Sequence, residues 1–75
     1  MPILVQLDSK NYNLSSKFEE ALNEIDLINN FSIISFNKDF LVYELKFNGT
    51  PKNFINIMRE KSFNFDTQNK VWILK

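Results

Sequence analysis

The 75-residue chain contains no cysteine and no histidine. That removes disulfide staples, zinc fingers built on Cys or His, and every nucleophile–base pair that depends on a thiol or an imidazole. A single glycine excludes the phosphate-cradling and dinucleotide-binding loops, which need several glycines for close backbone approach. No stretch approaches the ~20 consecutive apolar residues of a membrane span. The run Ile3 to Leu7 is interrupted by Gln6, lacks a basic lead-in and does not read as a signal peptide. Nine Lys+Arg balance nine Asp+Glu, which argues against a general binder of nucleic acid. What the chain has instead is aromatic mass: eight Phe, two Tyr and one Trp. A buried aromatic removes roughly 150–250 Å² from water, and a chain of this length, which buries only about 60% of its unfolded surface, has to draw its stability from such a core. The length allows a single domain, residues 1–75. Its two ends, Met1-Pro2 ahead of a strand and Lys75 behind one, suit a module cut from a longer protein and a small natural protein equally.

Hydrophobic periodicity divides the chain into six or seven elements. Ile3 to Asp8 alternates as a strand, with Ile3, Val5 and Leu7 on one face and Leu4, Gln6 and Asp8 on the other. Ser9 to Asn13 is polar apart from Tyr12 and reads as a loop. Leu14, Phe18, Ala21, Leu22, Ile25 and Ile28 then recur at helical spacing, with Asn13, Ser15 and Ser16 as candidate caps and Ser16 with Glu19 as a capping box. Asn29-Asn30 is the expected stop, because Asn tolerates the left-handed conformation. Phe31 to Phe36 is a second strand, Asn37-Lys38-Asp39 a turn, and Phe40 to Phe47 a third strand in which Leu41, Tyr43, Leu45 and Phe47 alternate with Phe40, Val42, Glu44 and Lys46. Thr50-Pro51 opens a second helix with Phe54, Ile57, Met58 and Lys61 on its inner edge. Ser62 to Asp66 and Lys70 to Lys75 are extended, as a terminal hairpin or as one strand with an extended entry.

This order, β-α-β-β-α-β with the last strand single or doubled into a hairpin, predicts an α+β, ferredoxin-like sandwich: a four-stranded antiparallel sheet in the order 4-1-3-2 with both helices on one face.

Several functions hosted by that architecture are testable on the residues. No two acids form a candidate buried dyad, since adjacent Glu19 and Glu20 point about 100° apart on a helix. The loop after the first strand lacks the Arg and Gly that acylphosphatases use, so no catalytic residues are assigned and an enzyme is not expected. RNA-recognition motifs stack bases on aromatics of the first and third strands; here the first strand has none and the third shows Glu44 on its open face. Asp8, Asp26, Asp39 and Asp66 are too scattered for an oxygen-ligand metal site, and no cofactor is implied. Asp8 sits where amino-acid-sensing domains carry an Asp, but the Gly that follows it there is missing.

What remains is a surface for a protein partner or for self-association, on the open sheet face or along an exposed edge strand. Leu4, Phe40 and Val42 fall on the sheet face away from the helices. In the last strand Trp72 and Leu74 alternate with Val71 and Ile73. If Trp72 is the outward residue, then Leu4, Phe40, Val42 and Trp72 form an apolar patch of the kind that marks partner contacts; if it is inward, it belongs to the core. A small-ligand-sensing domain, with its site at the loop between the first strand and the first helix, is the alternative, and nucleic-acid binding a distant third.

The chain also resembles the terminal βαββαβ module of an uncharacterised family of exported proteobacterial proteins. The likeness rests on Leu22 and Ile25 at the end of the first helix, Gly49 to Phe54 at the entry to the second, and Trp72 with Leu74 in the final segment. It covers most of the chain as hydrophobic spacing. It implies an envelope-associated or periplasmic module for protein contact, with no catalytic residues, whereas the residues themselves suit any compartment, cytoplasm included.

Overall fold

A computed structural model describes residues 2–74. The elements are β1 (Pro2–Asp8), α1 (Tyr12–Glu24), β2 (Ile28–Phe36), β3 (Phe40–Phe47), α2 (Pro51–Glu60), β4 (Phe65–Asp66) and β5 (Val71–Leu74). Lys75, included above in the last extended segment, lies outside the described residues.

The strand pattern fixes which side is covered. In β1, Ile3, Val5 and Leu7 are buried and pair across an antiparallel ladder with Leu45, Tyr43 and Leu41 of β3. Directly opposed residues share a face, so this side of the sheet is continuous and apolar. Phe18, Ala21 and Leu22 of α1, and Phe54 and Met58 of α2, are buried in the same core. Both helices therefore cover one face and leave the other open, as expected.

The expected order of four strands is kept, with β5 as the last of them, but a fifth strand is added at the edge and one pair changes direction. The full order is β2-β3-β1-β5-β4, five strands, with β1 antiparallel to β3 but parallel to β5. The expected four-stranded, wholly antiparallel sheet is corrected to a five-stranded mixed one. Hydrophobicity explains the change. Val71-Trp72-Ile73-Leu74 is apolar at every position, which suits a central strand with neighbours on both edges. Phe65-Asp66 has one apolar side and takes the edge. The chain leaves α2, runs out along the edge as β4 and turns back as β5 into the place beside β1. Asp66 helps close this turn, its Oδ1 accepting from the Gln68 N–H at 3.1 Å.

Local chemistry sets most boundaries. The β2–β3 turn is held by Asn37, whose Oδ1 accepts from the N–H groups of Asp39 (2.7 Å) and Phe40 (2.9 Å). Thr50 caps α2, with Oγ1 accepting from the Asn53 N–H at 3.2 Å, and Pro51 occupies the first turn. At the other end of α2 the Ser62 N–H donates to the Arg59 carbonyl (3.0 Å) and the Phe63 N–H to that of Met58 (2.9 Å). This is a Schellman exit, and Ser62 holds the left-handed position at φ 72° that glycine usually fills. The stretch from Ser62 is thus a helix terminator before it becomes a strand. Gly49 is needed for closeness: a Cβ there would sit 2.7 Å from the buried Phe47 ring.

Two expected boundaries move. α1 begins earlier, capped by Asn11, whose Oδ1 accepts from the Leu14 N–H at 3.0 Å, so Ser16 lies inside the helix and forms no capping box. It also ends earlier, at Glu24, and Ile28-Asn29-Asn30 belongs to β2. Pairing of Ile28 with Phe47 and of Asn30 with Lys46 outweighs the turn preference of Asn.

Candidate protein-interaction surface

The four residues singled out from the sequence divide between two environments. Leu4 and Val42 are half-buried on the open face and Phe40 is exposed there. Across the ladder they oppose Glu44, Gln6 and Asp8 respectively, so a polar neighbour interrupts each apolar one. Trp72 is elsewhere. The parallel register sets it beside buried Val5, facing the helices, and its ring stacks on that of Phe54 with centroids 6.4 Å apart. Val71 and Ile73 take the outward places next to Leu4 and Gln6. The four-residue patch is therefore corrected: Trp72 is not part of the open face, because the register that sets it opposite Val5 puts both side chains on the helix-covered face.

Exposed apolar mass gathers on β2 instead. Tyr12, Leu27, Ile33, Ile34, Phe36 and Phe40 are the exposed large hydrophobics among the described residues. Three of them, Ile33, Ile34 and Phe36, are in β2, and Phe36 is 75% exposed. β2 is an edge of the sheet, paired on one side only, with β3. It is nine residues long, Ile-Asn-Asn-Phe-Ser-Ile-Ile-Ser-Phe, without a charge, a proline or a glycine. Edge strands are ordinarily protected by charge, proline, shortness or cover. Of these devices β2 has only local irregularities in its ladder, between Ile28 and Asn30 and between Ile33 and Ser35. The opposite edge, β4, is two residues long and carries Asp66.

At the Phe36 end, a cleft opens between the loop leading into α1 and the β2–β3 turn. Ser9, Lys10, Tyr12 and Ser15 line one wall, and Phe36, Asn37, Lys38 and Leu41 the other. The β2 edge was visible as an edge in the expected strand order, and its lack of charge was visible in the sequence. Tyr12, placed in a loop from the sequence, stands on the first turn of α1 and contributes to this cleft.

Polar chemistry inside the domain is sparse. The Tyr43 hydroxyl donates to Glu19 Oε2 at 2.6 Å, and Lys61 pairs with Glu24 at 3.0 Å, tying the end of α2 to α1. No group of three His, Cys, Asp or Glu able to hold a metal occurs among the described residues. Burial, reinforced by the hydrogen bond and the negative charge of Glu19, pushes the Tyr43 phenol well above its ordinary value of 10.0. The folded chain thus retains a proton that the unfolded chain releases near pH 10, so the stabilisation is complete below that pH and declines above it. Tyr43→Phe is expected to abolish this alkaline decline in urea titrations between about pH 9 and 11, and to cost about 1–2 kcal/mol at neutral pH. An alkaline slope unchanged in the variant would remove Tyr43 as its source.

No family model, curated protein or solved structure matches the chain.

Proposed function

We propose that this domain is a non-catalytic protein-interaction module that takes an extended partner segment as an added strand along β2. The observation that carries the reading is the nine-residue, charge-free, unpaired edge bearing exposed Ile33, Ile34 and Phe36. In strand addition the main-chain groups of the edge supply affinity, and alternate side chains supply specificity. Ile33 and Phe36 on the inner side of β2 are exposed, so an added strand would lay its inward side chains against them. The resemblance to exported envelope proteins adds a setting to the proposal, the periplasm or envelope.

Peptides selected from a random library on the immobilised chain provide the test. Those that bind are expected to alternate apolar and polar residues and to perturb the β2 amides in NMR spectra. Ile33→Glu should weaken them about tenfold or more, equivalent to about 1.4 kcal/mol, with little change in melting temperature, because Ile33 is already 47% exposed. Binding that maps to the open face and ignores Ile33→Glu would refute the edge as the site.

The cleft beside Tyr12 supports a second reading, a small-ligand-sensing domain. It has an aromatic ring on each wall, Tyr12 and Phe36, and two lysines, Lys10 and Lys38. Small-molecule binding that raises Tm and perturbs the cleft but leaves the β2 edge unperturbed would favour it.

A further inference from the structure

We infer that the strand added to β2 is β2 of a second copy of this chain, antiparallel about a two-fold axis at Ser32. The inference rests on the edge-pairing reading above and names its partner. Two-fold pairing requires that each residue meet its mirror position and that inner faces meet inner faces. The β3 register identifies the inner-face positions of β2 as Ile28, Phe31, Ile33 and Phe36, opposite Phe47, Leu45, Tyr43 and Leu41. These four are symmetric about Ser32, which is also the midpoint of the strand. Rotation there sets Ile28 against Phe36 and Phe31 against Ile33, apolar on apolar at both ends. The outer-face residue Ser32 meets its own copy, a pairing in which two hydroxyls can exchange a hydrogen bond. The two ladder irregularities also fall on either side of this centre, at Asn29 and Ile34, so full overlap brings them near each other across the axis.

Charge permits this pairing and topology closes it. A self-paired strand puts every charge opposite a like charge or its near neighbour, and β2 has none to oppose. The chain as a whole is neutral, so two copies meet without net repulsion. Head-to-tail growth would need β2 to pair with β4, and the latter offers only Phe65-Asp66. Assembly therefore ends at two copies, with the five strands of each joined in one continuous sheet. A single strand pair lies at the small end of specific interfaces, below ~1,200 Å² in total, so the dimer is reversible and depends on concentration.

Sedimentation equilibrium of the full chain tests the inference. The mass is expected to rise from 8.9 kDa towards twice that value with concentration, while β2 amides become slower to exchange. Ser32→Glu is the blocking variant. Ser32 is opposed on β3 by Glu44, so in the dimer the substitution would line up four carboxylates, two from each copy. The dissociation constant should rise about tenfold or more, and mixing S32E with S32K should restore the pair by setting opposite charges across the axis. A wild-type chain that stays at 8.9 kDa up to about millimolar concentration would overturn the inference, as would S32E that is folded and still dimeric. If the wild type stays monomeric while library peptides still bind β2, self-pairing alone fails; if they do not, edge pairing fails with it.

Discussion

Phe54→Ala is expected to lower the free energy of unfolding by about 3–5 kcal/mol. At 0.05–0.15 kcal/mol per residue, a domain of 75 residues has roughly 4–11 kcal/mol in all, so the variant should lose a large share of its stability and unfold at much lower temperature and urea concentration. Phe54 is fully buried and its ring meets three others: Phe47 at 5.3 Å, Phe65 at 5.8 Å and Trp72 at 6.4 Å. These rings come from β3, β4 and β5, so truncation opens a cavity where α2 joins three strands of the sheet. With neither disulfide nor any cysteine to make one, no covalent link reinforces that junction. Urea titration followed by circular dichroism gives the value, and Phe36→Ala, at a 75% exposed ring, serves as the control with a change within about 0.5 kcal/mol. A loss below about 1.5 kcal/mol for Phe54→Ala would mean that the site collapses around the missing ring and that the aromatic cluster is not what holds α2 down.

The features legible in the sequence were those determined within a few residues. The Asn37 turn and the Thr50-Pro51 cap depend on one side chain and the backbone just after it, and both occur as expected. The start of α1 was harder, because Asn11, Asn13, Ser15 and Ser16 are all competent caps. Asn11 prevails, and the helix begins at Tyr12. Asn29-Asn30 looked like a helix stop for a sound local reason, but a ladder to β3 overrode it. Such an override is long-range and leaves no trace in a short window.

The direction and register of the last strand were the least legible features, and the candidate patch depended on the register. A last strand antiparallel to β1 and one parallel to it read identically as alternating residues. Only the hairpin through β4 decides between them, and it sets Trp72 beside Val5. The open face still carries Leu4, Val42 and Phe40, but alternation with Gln6, Glu44 and Asp8 breaks it up. The edge strand has no charged residue, and its polar positions are Asn and Ser alone. Protection is uneven between the sheet's two edges: β4 is short and acidic, β2 long and neutral. That asymmetry is what makes one edge a place for pairing and limits how far pairing can go.

Trp72→Ala separates a core role from a binding role. Had the indole faced outward with Leu4, its loss would weaken association and leave the fold intact. Facing inward, it lies at 6.4 Å from Phe54 and 6.1 Å from Phe65, near the junction that Phe54 holds together. Trp72 is partly buried rather than sealed in, so truncation should cost less than the 3–5 kcal/mol typical of a fully buried indole, about 2–3 kcal/mol. The native fraction that remains should bind β2-directed peptides as before, because Trp72 belongs to β5 and two strands, β1 and β3, lie between it and β2. Denaturant titration gives the first quantity and peptide titration under native conditions the second. Trp72→Phe keeps a ring against Phe54 and should recover most of the stability, so a variant that fails only by unfolding is recognisable. A Trp72→Ala chain as stable as the wild type but unable to associate would return the indole to the binding surface and move the interaction site away from β2.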